Sequence, residues 1–177
     1  MTQLSHVMAV TSFFRPPFIG GHMPKKTFMN LPEEKKMKIL LAAENEFADK
    51  GYDLASIQNV IRESGIPRGS FYQYFENKKD IFLTIFNYLG EQKLEYIAPV
   101  IDNMNTLGFF DFIKELIHAG FEYTKNHPKA VSIIEKASQS TTIDINEIIN
   151  TNQYTNYNAS LPDTTEIFEK AVISGIT

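Results

Sequence analysis

One short stretch of the sequence, residues 56–79, gathers the side chains best suited to bind a nucleic acid. It reads SIQNVIRESGIPRGSFYQYFENKK and holds a permanent cation, hydroxyls and an amide. Arg68 suits a phosphate, Gln73 can make a bidentate contact to adenine, and Tyr72 offers a hydroxyl donor. This stretch therefore indicates DNA recognition, provided that its helices hold these side chains on one side.

The turn residues in this stretch predict two short helices in a helix-turn-helix arrangement. Ser56 is the predicted N-cap of the first helix, and Ser64-Gly65-Ile66 forms the turn, with Ile66 filling the angle between the helices. Pro67 suits the start of the second helix, in which Phe71 and Phe75 are spaced to point inward together. The residues then predicted to lie outside are Arg68, Ser70, Tyr72, Gln73 and Tyr74.

Three positions add predicted contacts to an anion. The backbone amides near Gly69 and Ser70 lie at a helix N-terminus, which attracts negative charge. Gly69 also lets the backbone approach a partner closely. Lys78 begins the next predicted helix and can reach a phosphate backbone, because positive side chains supply many of the phosphate contacts in DNA complexes.

The rest of the chain predicts an all-α protein. Pro32, Glu33 and Glu34 begin a helix that ends at Lys50-Gly51. Residues 141–160 are rich in Asn and Thr and predict a loop with a short turn at 143–149. Further helices are predicted near 79–98, 108–125, 129–138 and 164–174. We find neither an alternating strand pattern of useful length nor an internal repeat.

Composition excludes several classes of protein. The 177 residues are 43% hydrophobic and 21% charged, which is typical of a folded globular protein. Because the chain has no cysteine, it has no disulfide, thiol nucleophile or cysteine-bound metal. The four histidines show no metal spacing, so we expect no metal and no cofactor. No apolar run approaches the roughly 20 residues of a membrane span, so we expect no membrane partner.

The net charge of −4 is unevenly distributed. Residues 23–80 carry 10 Lys/Arg against 9 Asp/Glu, and residues 81–177 carry 6 against 12. The first segment is thus less acidic than the second, but it is not strongly basic. Charge alone would not predict nucleic-acid binding, and the prediction depends on the motif.

Both ends of the chain differ from its middle. Residues 1–22 hold no acidic residue, and Gly20-Gly21-His22 resembles a cloning scar, so we interpret them as a non-native or disordered extension. At the other end, Gly175 suits a helix C-cap followed by more chain. We therefore expect the chain to be incomplete at its C-terminus.

With these residues in place, the segment from about Ile39 to Phe86 resembles the DNA-binding domain of the TetR/AcrR family of bacterial transcriptional repressors. The resemblance implies phosphate contacts at Arg68, Gly69, Tyr72, Tyr74 and Lys78 and base contacts at Ser70 and Gln73, and we add Ser56 to the predicted DNA-binding residues. The residues that carry the resemblance are Phe47, Gly51-Tyr52, Ser56-Ile57, Ser64-Gly65-Ile66, Arg68-Gly69-Ser70-Phe71-Tyr72, Tyr74-Phe75 and Lys78.

Three positions depart from the family pattern. Ile61 stands where the family usually has a small residue, which predicts repacking of the first two helices of the motif. Tyr74 replaces a frequent His and keeps a donor on a longer side chain. Pro67 replaces a frequent Ser, so a side-chain N-cap is lost while the helix start is kept. These departures leave the base preference open.

The resemblance also implies a division of the chain: a DNA-binding domain at 23–80 and a partial helical effector-binding domain at 81–177. It further implies a homodimer on a palindromic operator in double-stranded DNA, impaired here if the last helices are missing. The predicted effector contacts are Tyr88, Tyr96, Phe110, His118 and Phe121. For most of these aromatic residues ordinary helical core is the favoured alternative, and His118 is better explained as a structural histidine than as a ligand contact.

The resemblance and the motif together predict a cytoplasmic, ligand-responsive repressor that an unknown small molecule releases from DNA. An enzyme is not expected, because the sequence has no Ser/His/Asp order, Gly-rich phosphate loop or zinc motif. The alternative is a helical adaptor that uses the helix-turn-helix surface to dock a protein partner, since a fold does not fix a function.

Overall fold

The computed structural model describes residues 24–103, 106–145 and 148. The all-α prediction is confirmed for this part of the chain, which has seven helices and no strand. The helices are α1 Lys26–Met29, α2 Glu33–Leu54, α3 Ile57–Ser64, α4 Arg68–Tyr74, α5 Lys78–Asp102, α6 Phe109–Asn126 and α7 Pro128–Ser138. The predicted extension at 1–22 and the predicted helix at 164–174 lie outside the described residues. None of the described helices is long and apolar enough to cross a membrane.

The described residues fall into two compact units. The helix-turn-helix unit comprises residues 24–89, 127–145 and 148, and the α6 unit comprises residues 90–103 and 106–126. The division falls inside α5, and α7 belongs to the first unit although it follows α6 in the sequence.

The core of the helix-turn-helix unit is aromatic and aliphatic. Phe47 lies edge-on to Phe82 with ring centroids 5.1 Å apart, and Phe71 lies 5.3 Å from Phe75. The predicted inward positions of Phe71, Phe75 and Ile66 are confirmed, since all three are buried. Burial of such large side chains is the main stabilising contribution to a small domain. The largest buried apolar residues are Phe47, Phe71, Phe75, Phe82, Ile39, Ile81, Ile85, Ile133 and Val60.

Gly51 interrupts α2 where the sequence predicts the helix to end. Its backbone angles, φ 70° and ψ 171°, belong to a region that glycine alone adopts readily. The predicted break at Gly51 is therefore confirmed, and a short helical turn continues to Leu54. A Cβ added at Gly51 would lie 3.2 Å from the Cβ of Lys136, so the glycine also allows α7 to approach.

Helix α7 packs against α2 through both apolar and polar contacts. Ala130, Ile133 and Ala137 are buried along one face of α7. On the polar side, the Ser132 hydroxyl donates to the Ala48 carbonyl at 2.9 Å, and the Lys136 ammonium donates to the same carbonyl at 2.5 Å. These contacts join residues more than 80 positions apart, so the helix-turn-helix unit is built from two separated pieces of chain.

The α6 unit is organised by two tyrosines. Tyr123 of α6 is buried, and its ring lies edge-on to that of Tyr96, with centroids 5.6 Å apart. The Asn126 amide donates to the Tyr96 hydroxyl at 3.3 Å. Phe112 and Ala119 complete the buried face of α6.

Candidate nucleic-acid interface

The turn between α3 and α4 sets the position of the predicted recognition helix. Gly65 ends α3 in the left-handed conformation, with φ 68° and ψ 19°, which glycine adopts without steric cost. The Ser64 hydroxyl donates to the Val60 carbonyl at 2.6 Å and holds the last turn of α3. Pro67 then precedes α4 with an extended backbone, so α4 starts without a side-chain cap, as its sequence predicts.

Four of the predicted DNA-binding residues lie on the exposed side of α4. Arg68, Gly69, Tyr72 and Gln73 are exposed, and the Tyr72 side chain is 44% accessible. Arg68 and Tyr72 are one turn apart, as are Gly69 and Gln73, so the four form two adjacent rows on one face. That face presents a cation, a hydroxyl and an amide to solvent, which are groups that contact phosphates and base edges.

Ser70 lies beside this face and is half-buried. Its backbone N–H donates to the Pro67 carbonyl at 2.9 Å, so this amide is already used by the first turn of α4. The structure therefore does not support the predicted attraction of an anion to the Ser70 N–H, because this donor is already paired. The predicted base contact would fall to the Ser70 hydroxyl.

Tyr74 is placed differently from its predicted outward position, and that prediction is wrong. Only 6% of Tyr74 is exposed, and its ring centroid lies 6.3 Å from that of Phe28. The reason is α1, which covers this end of α4 and was not predicted. The ammonium of Lys35 lies 5.7 Å from the Tyr74 ring and adds a cation–π contact. A phosphate contact by the Tyr74 hydroxyl stays a prediction.

Ser56 precedes α3 as predicted, but its side chain makes no cap hydrogen bond. Instead, its backbone N–H donates to Glu46 Oε1 at 2.8 Å, and the Asn59 amide donates to the same oxygen at 3.1 Å. A carboxylate from α2 thus caps α3, where negative charge is favoured. The half-buried Ser56 hydroxyl is left as a predicted DNA contact.

Lys78 is half-buried and holds the end of α2 to the start of α5. Its ammonium donates to the Asp53 carbonyl at 3.0 Å and to the Ala55 carbonyl at 3.3 Å. The same ammonium lies 4.9 Å from the centroid of the Tyr52 ring. These contacts do not test the predicted phosphate contact by Lys78, which stays a prediction. They give the residue a structural role as well.

Asn77 and Asp80 fix the turn between α4 and α5. Asn77 Oδ1 accepts the Asp80 N–H at 3.0 Å, and Asp80 Oδ2 accepts the Glu76 N–H at 2.8 Å. This reciprocal pattern resembles a capping box and satisfies donors that the helix start would leave free. The exposed face of α4 therefore lies between two fixed turns.

The contacts that α1 and the preceding residue make with α4 were not predicted from the sequence. The Lys25 ammonium donates to the Tyr72 carbonyl at 3.0 Å, and the Lys25 backbone N–H donates to the Tyr74 carbonyl at 3.1 Å. The Thr27 hydroxyl donates to the Gln73 carbonyl. More than 40 residues separate the partners in each contact, and a local sequence pattern cannot predict a contact over that distance.

Asp53 is the most perturbed acid among the described residues. Hydrogen bonds from the Ser140 hydroxyl at 2.6 Å, from the Thr142 hydroxyl and from the Thr141 N–H at 3.0 Å hold its pKa well below the usual range. These donors stabilise the carboxylate form. They follow α7, so Asp53 ties the end of α2 to this later segment.

The predicted effector residues are divided between the two units, and three of them are exposed. Tyr88 is half-buried in the helix-turn-helix unit, whereas the other four lie in the α6 unit. Tyr96 is half-buried against Tyr123. On α6, Phe110 is 82% exposed, Phe121 is 69% exposed, and His118 is also exposed. Their role in binding an effector stays a prediction. The described residues contain no cluster of three acidic, histidine or cysteine ligands for a metal.

Known proteins are similar to this chain over the whole helix-turn-helix motif. Residues 39–85 match the family of bacterial regulatory proteins named tetR. The chain is 39% identical over 94 residues to the HTH-type transcriptional regulator HbdR of Aromatoleum sp., covering 52% of this chain and 38% of HbdR. It is 33% identical over 78 residues to the fatty acid metabolism regulator protein of Bacillus subtilis, covering 44% of this chain and 40% of that protein.

A solved structure extends the similarity to the fold. A TetR family transcriptional regulator from Chloroflexus aurantiacus superposes with a TM-score of 0.57 at 28% identity, covering 86% of this chain and 68% of that one. The chain spans 60% or less of the length of the curated relatives it matches. The predicted resemblance is confirmed: residues 39–85 match the model of the tetR family, and relatives such as HbdR and EthR are named as HTH-type transcriptional regulators.

Proposed function

We propose that this chain, which carries a tetR-family domain at residues 39–85, regulates transcription by placing α4 in the major groove of DNA. In a helix-turn-helix protein the second helix of the motif enters the groove and its exposed residues contact base edges and phosphates. In this chain that helix is α4, which follows the turn at Gly65.

The exposed face of α4 is the observation that carries the proposal. Arg68, Tyr72 and Gln73 are exposed on a helix whose Phe71 is fully buried. Because Phe71 anchors the opposite side, the polar face cannot rotate inward without opening the core. Arg68 is assigned to a phosphate, Tyr72 to a phosphate or a thymine methyl, and Gln73 to an adenine.

The proposed regulation is repression that a small molecule relieves. A homodimer would place two copies of α4 in successive major grooves, roughly 34–36 Å apart. An effector that binds one arrangement of the dimer better than the other would shift the population away from the DNA-bound state. We propose that this cytoplasmic repressor binds a palindromic operator. We also propose that the effector binds among the aromatic residues of the predicted second domain.

The test compares one cation on α4 with one on α6. Binding of a fluorescent random-sequence duplex is measured by anisotropy over a salt series for the wild type, Arg68→Ala and Lys114→Ala. Both side chains are exposed, but only Arg68 lies on the proposed DNA-binding face. We expect Arg68→Ala to reduce the slope of log K against log salt by about one, because one phosphate contact is lost.

The Lys114→Ala control is expected to keep the wild-type slope. Equal slopes for all three proteins would remove Arg68 from the interface. Absence of DNA binding by the wild type at low salt would overturn the proposal as a whole. Salt-insensitive binding of a protein partner to the same face would then support the adaptor alternative.

A further inference from the structure

We infer that residues 24–29, here called the N-terminal segment, hold the C-terminal end of α4 and so set the position of its DNA-reading side chains. The inference rests on the proposed function, because it concerns how α4 meets DNA. It adds two positioning residues, Lys25 and Thr27, which lie outside the family match at 39–85.

Three consecutive carbonyls at the end of α4 are satisfied by this one segment. The Tyr72 carbonyl accepts from the Lys25 ammonium, the Gln73 carbonyl from the Thr27 hydroxyl, and the Tyr74 carbonyl from the Lys25 N–H. The last carbonyls of a helix have no partner within the helix. The Lys25 charge is also favourable there, because the C-terminal end of a helix is negative.

Apolar packing fixes the same contact. Phe28 is only 3% exposed, and its ring centroid lies 4.9 Å from that of Phe75. Phe28 also covers Tyr74, which explains why Tyr74 is buried. Through Phe28, the N-terminal segment is therefore part of the core around α4.

The length of α4 makes this support consequential. The helix has seven residues, and helices shorter than about 12–15 residues are marginal in water without tertiary contacts. Tyr72 and Gln73 are two of the exposed residues assigned to DNA, and their own carbonyls are two of the three that are held. A loosened segment would therefore let the Gln73 amide move relative to a base edge, while Arg68 at the other end would be less affected.

The experiment separates positioning from stability. We would select duplexes from a random-sequence library with the wild-type chain, then measure the affinity of each variant for the selected duplex and for the unselected library. The variants are Thr27→Val, which removes the hydroxyl at similar volume, and Lys25→Met, which removes the ammonium. Thr27→Ser restores a hydroxyl, and Thr106→Val removes an exposed threonine hydroxyl that donates to Asn103 in the α6 unit.

We expect Thr27→Val and Lys25→Met each to lower the ratio of selected to unselected affinity about two- to tenfold, the range of one net hydrogen bond. Unselected affinity and its salt slope should change little, since the phosphate contacts persist. Thr27→Ser should recover the ratio, and Thr106→Val should keep it.

A purely structural role would lower both affinities together, along with the melting temperature, and would leave their ratio unchanged. That result would overturn the inference and leave the proposed function intact. Failure of the wild-type chain to bind any duplex at low salt would overturn both. If Thr27→Val does not fold, Lys25→Met alone decides, because its backbone N–H still reaches the Tyr74 carbonyl.

Discussion

The two units of the molecule differ in how their functional surfaces are supported. Around α4, side chains reach across the fold to backbone groups: Lys78 joins α5 to the end of α2, and Lys25 joins the N-terminal segment to α4. On α6, the predicted effector residues Phe110 and Phe121 are exposed. The proposed DNA contacts thus lie on a helix that these side chains hold in place, whereas Phe110 and Phe121 are open to solvent.

The support around α4 matters for the recognition of a base. Reading a base requires a side chain held to within a fraction of an ångström, which a buried core and satisfied helix ends provide. An exposed aromatic face has no such constraint and contributes little to stability by itself. Substitutions matched between the two units should therefore give unequal effects.

The largest contrast is expected between two phenylalanines. Phe47→Ala, at a side chain 1% exposed and packed on Phe82, should lower the free energy of unfolding by about 3–5 kcal/mol through lost burial and a cavity. Phe121→Ala should change it by less than about 0.5 kcal/mol, as for other exposed sites. Urea denaturation followed by circular dichroism measures both. Similar losses would show that Phe121 is covered in solution and that its face of α6 is not open to solvent.

Two glycine-to-alanine substitutions, one in each unit, should change the free energy of unfolding in opposite directions. Gly51→Ala should cost about 1–3 kcal/mol, because φ 70° and ψ 171° strain any other residue and the new Cβ meets Lys136. Gly120→Ala should stabilise by about 0.5–1 kcal/mol, because among the described residues no atom beyond the adjoining part of α6 lies within 4 Å of the added Cβ. Thermal denaturation of both variants gives the answer. A neutral Gly51→Ala would show that the kink in α2 relaxes.

Gln73→Ala should alter base preference without altering the fold. Loss of a bidentate contact costs about 1–3 kcal/mol at a single base pair and relaxes the preference there. Sequencing of duplexes bound from a random library reports that preference. Gln139→Ala, at an exposed glutamine after α7, is the matched control. An unchanged preference in Gln73→Ala would remove Gln73 from base recognition.

Asp53 should make the helix-turn-helix unit sensitive to acid. Its pKa is lowered in the folded chain, chiefly by the hydroxyls of Ser140 and Thr142, so its contribution is present above the ordinary aspartate pKa of about 4 and is lost as pH falls below that value. Asp53→Asn should lower the urea midpoint at neutral pH, and the difference from wild type should shrink in acid. A difference that does not vary with pH would contradict the role of the carboxylate charge.

The sequence predicted well where local spacing determines structure. Gly65 and Pro67 mark the helix-turn-helix turn, and the four-residue spacing of Phe71 and Phe75 predicted their burial, which is confirmed. The same local reasoning predicted the break at Gly51. Turn chemistry and helical periodicity act over a few residues, so a single sequence suffices for them.

Contacts between distant residues were beyond the sequence pattern. Tyr74 was predicted outside because its neighbours give no hint of Phe28, which lies 46 residues earlier and covers it. Ser56 was predicted to cap α3, but Glu46 from another helix supplies the oxygen. The packing of α7 on α2 includes a hydrogen bond from Lys136 to the Ala48 carbonyl, 88 residues away. Such pairings depend on the tertiary fold and leave no local signal.

Backbone NMR of the wild-type chain during titration with a random-sequence duplex at low salt shows whether α4 is the DNA-binding surface. We expect that the amides of Arg68, Tyr72 and Gln73 shift most, that those of α6 shift least, and that added salt reverses the changes. Shifts concentrated on α6, or none at all, would contradict this expectation.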